Sequence, residues 1–190
     1  MRFRNSTVPL AAAIVCLSIA AAQTRTPDVP YVPTSEEAVQ VMLKLADVKK
    51  TDVVYDLGCG DGRLVIAAAK TYGARGVGID INPVRIAEAK QNARNAGVEN
   101  LVRFEENDLF KADIHEATVV TLFLLNSVNL KLRPKLLEDL KPGTRVVSNT
   151  FDMGDWKPEK EFSLPDNDSF DSNFLSHKFF FWTIPPKSGK

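Results

Sequence analysis

Two aspartates and three glycines lie together between residues 56 and 62, and they carry the most distinctive chemistry of this 190-residue sequence. The glycines are Gly58, Gly60 and Gly62, each separated from the next by one residue. Glycine adopts positive φ without strain, and its missing Cβ lets the backbone approach a ligand closely. Such a turn between a strand and a helix binds nucleotides, because the helix N-terminus adds unpaired N–H groups. The stretch therefore predicts a nucleotide-binding loop.

The spacing and charge of this loop discriminate between nucleotide ligands. The dinucleotide fingerprint requires a glycine at its sixth position, where this sequence has Arg63 when counted from Gly58. No Gly-Lys-Ser/Thr follows, which excludes the phosphate-binding loop of nucleoside triphosphatases. The carboxylates of Asp56 and Asp61 would repel a pyrophosphate but attract a cation. S-adenosylmethionine carries an ammonium and a sulfonium, so the loop favours this cofactor over NAD. Arg63 is expected to pair with a nearby acid.

The hydrophobic pattern places this loop in a chain of alternating strands and helices. Short apolar and β-branched runs predict strands at 53–55, 76–80, 101–104, 118–125 and 145–150. Helices are predicted after a capping box at Thr34, over 64–70, between Asn82 and Gly97, and over 130–140. This alternation is typical of a doubly wound parallel sheet, with the run at 118–125 as its central strand.

The C-terminal part of the chain breaks the alternation. Two more strands are predicted at 161–164 and 177–184 without a helix between them, which indicates an antiparallel pair at the sheet edge. Together these elements predict one α/β domain over 34–184, with a mostly parallel seven-stranded sheet and helices on both faces. We expect an extended arm at 23–33 and a loose tail at 185–190.

The first residues have the features of a targeting segment. Arg2 and Arg4 precede an apolar run over 10–22, which ends in three alanines that suit cleavage before Gln23. The run is shorter than the ~20 residues that a membrane-spanning helix needs. We therefore predict a signal peptide over 1–22 and an exported protein, periplasmic or secreted. An uncleaved membrane anchor and import into an organelle are the alternatives.

Composition argues against several functions. The 24 basic and 24 acidic residues give no net charge, and no basic tract is present, so we expect no nucleic-acid partner. The two histidines and two cysteines do not have metal-ligand spacing, so we expect no metal. His115 is expected at the surface, and Cys59 is interpreted as a small filler of the loop and not as a nucleophile. No dimerisation device is evident, and the oligomeric state stays open.

The motifs resemble those of a known family. Asp56-Leu-Gly-Cys-Gly-Asp-Gly62 followed by Gly76-Val-Gly-Ile-Asp80 is similar to motifs I and II of the class I, seven-stranded S-adenosylmethionine-dependent methyltransferases. The resemblance covers about residues 34–184 and implies the Rossmann-like methyltransferase fold. The cofactor-binding residues that it implies are Asp56, Gly58, Cys59, Gly60, Asp80, Ile81, Asp108 and Leu109. In that scheme Asp56 and the glycine backbone hold the methionine part, Asp80 the ribose hydroxyls, and Asp108 and Leu109 the adenine.

A narrower resemblance concerns the acceptor. Pro30-Tyr-Val-Pro-Thr34 and Gly-Asp-Gly-Arg63 resemble the small protein-lysine methyltransferases of the ATP synthase c subunit and adenine nucleotide translocator type, and their bacterial relatives. That similarity implies methyl transfer to a nitrogen, first of all a protein lysine. A small-molecule methyltransferase and a non-catalytic binding module for S-adenosylmethionine are the alternatives. The N-terminal segment would allow membrane association.

The resemblance also points to the acceptor end of the site. In this class the residues after the fourth strand face the methyl group, and here they are Phe123-Leu-Leu-Asn126. The Asn/Asp-Pro-Pro-Tyr motif is absent, which counts against adenine and glutamine acceptors. Asn126 either orients an amine or caps the next helix, and Tyr31 is either a lid over the cofactor or a packing anchor. These two are the candidate catalytic residues. Trp156 and its neighbours either line an acceptor pocket or form a packing cluster.

Overall fold

A computed structural model describes residues 31–164 and 178–187, and within them one seven-stranded sheet forms the frame. The strands are β1 (Val53–Leu57), β2 (Arg75–Asp80), β3 (Val102–Glu106), β4 (Val119–Leu122), β5 (Arg145–Asn149), β6 (Lys160–Ser163) and β7 (Lys178–Thr183). The helices are α1 (Glu36–Leu45), α2 (Arg63–Tyr72), α3 (Pro83–Asn95) and α4 (Asn126–Asp139). The strand order is β3-β2-β1-β4-β5-β7-β6, which confirms β4 as the central strand.

The order of the parallel strands creates a crevice at one edge of the sheet. From β1 the chain adds β2 and β3 on one side, and then crosses to add β4 and β5 on the other. All pairings among these five strands are parallel, so their carboxyl ends lie at the same edge. The direction of winding changes between β1 and β4. Ligands of open α/β sheets bind outside the carboxyl ends of the strands at such a switch point.

The last two strands form the predicted antiparallel pair. β7 pairs antiparallel with both β5 and β6, and β6 is the edge strand. Side chains along β7 alternate between the faces of the sheet, as a strand period of two requires. Phe179 and Phe181 are buried in the cluster on one face, whereas Phe180 and Trp182 are buried in the cluster on the other.

Helices cover both faces of the sheet. α1, α2 and α3 bury their apolar sides against one face, with Leu43 and Val65 fully buried. α4 covers the other face through Leu132 and Leu136, and the segment between β3 and β4 adds Ile114. Fully burying one such aliphatic side chain stabilises the fold by about 1.5–3 kcal/mol. The two apolar layers therefore hold the crevice between them at the edge of the sheet.

Two local predictions were wrong at element boundaries. The cap of α1 is Ser35 and not Thr34, because the hydroxyl oxygen of Ser35 accepts a hydrogen bond from the N–H of Ala38 at 3.1 Å. The apolar run at 118–125 is not one strand, since β4 ends at Leu122 and α4 begins at Asn126. A continuous apolar run predicts that its residues are buried, but it does not show whether they belong to a strand, a helix or a loop.

None of the helices within 31–164 and 178–187 is long and apolar enough to cross a membrane. The predicted targeting segment over 1–22, the part of the arm at 23–30 and the end of the tail at 188–190 lie outside the described residues.

Candidate active site

A cavity of about 670 Å³ opens at the carboxyl ends of β1, β2 and β4. Its walls are the glycine loop after β1, the turns after β2 and β3, the residues after β4, and Phe151 after β5. The stretch from Tyr31 to Thr34 in front of α1 lies at its opening. The volume is that of a small-molecule site, and the position is the topological switch point of the sheet.

The glycine loop needs its glycines for both conformation and space. Gly58 and Gly60 have φ of +88° and +52°, a region that side chains with a Cβ rarely adopt. A Cβ on Gly58 would lie 2.9 Å from Cδ2 of Leu124, and one on Gly60 would lie 2.4 Å from Cε2 of Tyr31. The N–H of Gly58 donates to the carbonyl of Ile79 at 2.8 Å, which fastens the loop to β2. The loop is therefore a backbone-lined cradle.

Asp80 joins this loop to the next helix. One carboxylate oxygen accepts a hydrogen bond from the N–H of Gly60 at 2.9 Å, and the other accepts one from the N–H of Asn82 at 2.9 Å. Asn82 caps α3 by accepting from the N–H of Val84, with Pro83 at the first helical position, as predicted. A carboxylate accepts about four hydrogen bonds. Asp80 thus has the capacity to accept further donors from a ligand in the cavity.

Asp56 is a buried carboxylate in the wall of the cavity. It is 8% exposed, and it lies across from its register partner Thr121 on β4. Burial raises the pKa of Asp56 to about 7, and the negative charges of Asp80 and Asp61 act in the same direction. The hydroxyl of Thr121 donates to the carboxylate at 2.8 Å and opposes the rise. A cation in the cavity would stabilise the charged form, so this position suits an ammonium group.

Asp61 differs from Asp56 because its charge is already paired. The guanidinium of Arg63 contacts its carboxylate at 2.5 Å, which confirms the expected pairing of Arg63. Burial alone would raise the pKa of Asp61, but the hydrogen bonds and charge of Arg63 outweigh it and lower that pKa. Arg63 also donates to the carbonyl of Thr34 at 2.7 Å. Arg63, held by Asp61, therefore anchors the arm in front of α1, and Asp56 is left without a cationic partner among the described residues.

Tyr31 lies at the opening of the cavity. Its ring fills the space next to Gly60, and the guanidinium carbon of Arg85 lies 4.0 Å from the ring centroid. Tyr31 is 42% exposed, so part of this residue is available to solvent or to a ligand. This placement is compatible with both alternatives, the lid and the packing anchor.

The turn after β3 forms part of the cavity wall, on the side of the sheet where β2 and β3 lie. Asp108 and Leu109 both line the cavity, together with Ile81 after β2. Within this turn the carboxylate of Asp108 accepts from the N–H of Phe110 at 3.0 Å. All the residues expected to bind the cofactor thus lie around one cavity, with the carboxylates at the ends of β1 and β2 and after β3.

The residues after β4 line the opposite end, but Asn126 is not among them. Phe123, Leu124, Leu125 and Val128 line the cavity here, and within the described parts of the chain no charged side chain accompanies them. The amide of Asn126 instead donates to the carboxylate of Asp152 at 3.0 Å. The cap of α4 is Leu125, so the cap interpretation of Asn126 was wrong. Its catalytic role stays a prediction without a contact in the cavity.

Of the residues around Trp156, some form a packing cluster and one lines the cavity. The indole of Trp156 lies 5.7 Å from that of Trp182, whose N–H donates to the carbonyl of Trp156 at 2.8 Å. Met153 is fully buried in the same cluster. These two residues pack the core, whereas Phe151 lines the cavity.

The remaining candidates have no catalytic arrangement. Cys59 is buried, and burial together with the charges of Asp56 and Asp80 raises the pKa of its thiol, so it is not a thiolate. His115 is exposed beside Asp113, as expected for a surface residue. Among the residues that the structure describes, no group of three or more His, Cys, Asp or Glu side chains is arranged to bind a metal.

Two polar residues near the site were missed at the sequence level. Thr121 is a β4 residue in an apolar run, and only the pairing of β4 with β1 brings it to Asp56. Asn129 is a fully buried residue of α4 that binds the loop after β5. A polar residue at an apolar position of a strand or helix is the signal that would have drawn attention to both.

Comparison with known proteins assigns the family. Residues 56–160 match the profile of the ANTKMT methyltransferase domain. This chain belongs to the ANTKMT methyltransferase family. It is 45% identical to a protein-lysine N-methyltransferase of Saccharolobus islandicus over 159 residues, which are 83% of this chain and 95% of that protein. It is 36% identical to an adenine nucleotide translocase lysine N-methyltransferase of Mus musculus, with 68% of this chain matching 56% of that longer protein.

A solved structure supports the same assignment. An RNA methyltransferase from Salinibacter ruber, in complex with S-adenosylhomocysteine, is 54% identical and superposes with a TM-score of 0.76. The superposition covers 84% of this chain and 97% of that one. The ANTKMT family member described here is therefore a class I S-adenosylmethionine-dependent methyltransferase with the Rossmann-like fold, and S-adenosylmethionine is its cofactor. These predictions from the sequence are confirmed.

Proposed function

We propose that the enzyme transfers a methyl group to the side-chain amine of a protein lysine. The observation that carries the proposal is the apolar end of the cavity, which the residues after β4 and Phe151 form. An alkyl amine needs an apolar channel and no hydrogen-bonding pattern, whereas a base or an amide would need polar partners. The lysine-modifying relatives from Saccharolobus islandicus and Mus musculus support the same acceptor.

The other end of the cavity fits the cofactor. We propose that Asp56 pairs with its ammonium group, and that the backbone from Gly58 through Cys59 to Gly60 follows its methionine part. Asp80 accepts the ribose hydroxyls with its remaining lone pairs. The adenine then lies in the turn after β3. Its binding residues are Ile81, Asp108 and Leu109.

Methyl transfer requires little of the side chains beyond positioning the two substrates. S-adenosylmethionine supplies a methyl group on a sulfonium, and the carbon–sulfur bond breaks with its electron pair moving to sulfur as the nitrogen lone pair bonds to carbon. The walls of the cavity orient the amine in line and exclude water, and such positioning is worth ~7–11 kcal/mol.

The amine must arrive without its proton. An unperturbed lysine has a pKa of about 10.4 and is almost fully protonated at neutral pH. The apolar wall formed by Leu124, Leu125 and Phe151 disfavours the charged form and so lowers the amine's pKa. No titratable side chain of the described residues after β4 and β5 lines this end of the cavity, so we propose that the amine releases its proton to solvent as it enters.

Partition of a labelled methyl group tests the proposal. Lysate from a strain that lacks the enzyme is incubated with the purified protein and S-adenosylmethionine labelled on its methyl carbon. The label is then measured in protein, RNA and small-molecule fractions. Lysine transfer predicts label in protein that survives nuclease treatment and is lost with protease treatment. Label in small molecules alone would favour the small-molecule alternative, and cofactor binding without transfer would favour a non-catalytic module.

An RNA acceptor is the second candidate, because the Salinibacter ruber protein with 54% identity is described as an RNA methyltransferase. The zero net charge of this chain and the apolar acceptor wall oppose it. In the same experiment, label in the RNA fraction that nuclease treatment releases would establish RNA as the acceptor.

We also propose that the N-terminal segment directs the enzyme to export or holds it at a membrane. The arginines and apolar run before Gln23 support this proposal. N-terminal sequencing of the protein isolated from its host distinguishes cleavage before Gln23 from an intact anchor. An intact chain recovered in the soluble cytosol would contradict both.

A further inference from the structure

One face of α4 holds the loop that follows β5. Asn126, Asn129 and Arg133 lie on this face, since positions three and four apart in a helix are neighbours. Asn126 donates to the carboxylate of Asp152 at 3.0 Å, and Arg133 donates to the carbonyl of Met153 at 2.8 Å. The loop is therefore fixed to α4 at successive turns of the helix.

Asn129 is the central contact of this face. It is fully buried, and its amide nitrogen lies 3.1 Å from the carbonyl oxygen of Phe151 and 3.3 Å from that of Asp152. The hydroxyl of Ser148 donates to the same carbonyl of Phe151 at 2.6 Å. The amide oxygen of Asn129 is buried and has no partner among the described residues, which costs free energy. Asn129 therefore contributes to the loop through the N–H donors of its amide and not through its amide oxygen.

The backbone of the loop is strained where it reaches the cavity. Thr150 has φ of +68°, although it is a β-branched residue. The N–H of Phe151 donates to the carbonyl of Asn149 at 2.8 Å, a γ-turn whose central residue has positive φ. Backbone of this kind persists only where the surrounding structure holds it, and it occurs often at binding sites. Here it directs Phe151 into the cavity wall.

Phe151 lies at the end of the cavity that the cofactor-binding carboxylates leave open. Asp80 is the last residue of β2 and Asp56 the penultimate residue of β1, whereas Phe151 follows β5 on the other side of β4. The two ends are separated by the residues after β4, with Leu124 packed against the position of Gly58. A ligand bound to the carboxylates therefore leaves the end of the cavity at Phe151 for a second substrate.

We propose that Phe151 is a specificity-determining residue that packs on the alkyl chain of the acceptor amine, and that Asn129 is the positioning residue that holds it there. The inference rests on the proposed transfer to an amine. It assigns acceptor selection to the loop after β5, at the end of the cavity that the carboxylates do not reach.

A bisubstrate probe tests both residues without an identified acceptor. The probe is an S-adenosylhomocysteine analogue in which a nitrogen replaces the sulfur and is joined by a short linker to an amine that carries a butyl chain, so that amine and alkyl chain follow in the order of a lysine side chain. Calorimetry gives its affinity relative to that of S-adenosylhomocysteine. The wild type should prefer the probe, and Phe151→Ala should lower this preference about tenfold, with Phe151→Leu between them and the affinity for S-adenosylhomocysteine unchanged.

A double-mutant cycle separates positioning from general stability. Asn129→Leu keeps the volume but removes both donors, and it should lower the preference for the probe by a similar factor. If Asn129 acts through Phe151, the double variant should be no worse than Phe151→Ala alone. Phe162→Ala is the control, because Phe162 is a 45% exposed aromatic on β6 outside the cavity lining. Independent, additive losses would overturn the positioning role.

The outcomes distinguish this inference from the function it rests on. A wild type that prefers the probe, with Phe151→Ala keeping that preference, would overturn the role of Phe151 and leave the lysine proposal standing. A fall in affinity for both ligands by the same factor would also overturn it, because the loss would then be structural. A wild type without any preference for the amine-bearing probe would contradict the lysine proposal itself.

Discussion

At the scale of single residues, Asp56 combines burial, a hydroxyl partner and two nearby carboxylates in one position. Burial is the largest cause of its raised pKa, and the charges of Asp80 and Asp61 add to it. An isolated buried charge is costly, so in the ligand-free enzyme Asp56 keeps its proton up to about pH 7 and loses it above that. The cationic group of the cofactor reverses that preference.

Asp56→Asn should therefore stabilise the ligand-free protein while weakening cofactor binding. Between about pH 4 and pH 7 the folded protein retains a proton that the unfolded chain has lost, so its stability falls as the pH rises through this window. The variant removes that loss, and its free energy of unfolding at about pH 8 should be higher by on the order of 1–4 kcal/mol. Denaturant unfolding at several pH values measures this effect.

The cofactor affinity of the same variant should fall about tenfold or more, because the ammonium loses its partner. In the wild type, affinity should weaken as the pH falls below about 7, and the variant should lose this dependence. Asp113→Asn is the control, since Asp113 is an exposed acid outside the cavity lining. Equal pH dependence in all three proteins would show that Asp56 does not pair with the cofactor.

Two glycines offer a matched pair for the cradle. Gly60 and Gly97 both have positive φ, but only a Cβ on Gly60 would meet an atom, Cε2 of Tyr31 at 2.4 Å. Both alanine variants should lose about 1–2 kcal/mol of stability from backbone strain. Only Gly60→Ala should also reduce cofactor affinity, by about tenfold or more in a calorimetric titration. Unchanged affinity in Gly60→Ala would mean that the cofactor does not approach this part of the loop.

At the scale of elements, the sequence located strands and helices well but predicted one strand where the chain has a shorter strand and a loop. The regular alternation and the Asn82-Pro83 start are local signals, and the structure bears them out. The run at 118–125 looked like one strand because its residues are uniformly apolar. It supplies a buried strand and then the apolar wall of a cavity. Where the strand stops and the cavity wall begins depends on where the sheet ends, and that is set by tertiary structure and not by the local sequence.

The arm in front of α1 is the element whose role can be tested most simply. If Tyr31 is a lid, Tyr31→Ala should speed dissociation of the cofactor several-fold, because the ring no longer covers the site. Tyr31→Phe keeps the ring and its contact with Arg85 but loses the hydroxyl that hydrogen-bonds with Asp61, so its rate should lie between those of the wild type and Tyr31→Ala. Stopped-flow displacement of a fluorescent cofactor analogue measures these rates. A packing anchor would instead show a lower melting temperature with an unchanged dissociation rate.

At the scale of the whole molecule, the fold and cofactor followed from the sequence, whereas the acceptor end did not. The three glycines and Asp80 are close in sequence, so their joint role in cofactor binding can be predicted from the sequence alone. Phe151, Asn129 and Thr121 meet the site only through strand order and helix packing. Asn126 is the opposite case. Its position shortly after β4 predicted a place at the acceptor end of the cavity, but its side chain binds Asp152 outside the cavity lining.

The distribution of charge in the cavity sets the pH dependence of the reaction. The titratable side chains lie at the cofactor end, so nothing in the described acceptor wall can accept a proton from the amine. At saturating cofactor and with the acceptor well below its KM, the rate should rise about tenfold per pH unit between about pH 7 and pH 9, because the neutral fraction of the free amine rises in that way. A bell-shaped profile would reveal an enzyme base.

Lysine methylation itself is tested most directly by analysing the labelled amino acid. Protein labelled by the wild-type enzyme is hydrolysed completely, and the methylated residues are separated and identified by mass spectrometry, with Asp80→Ala as the control that should not bind cofactor. We predict that the label is found in methylated lysine and is absent with the Asp80 variant. Label in any other amino acid, or equal labelling by both proteins, would contradict a lysine methyltransferase whose cofactor is held by this cavity.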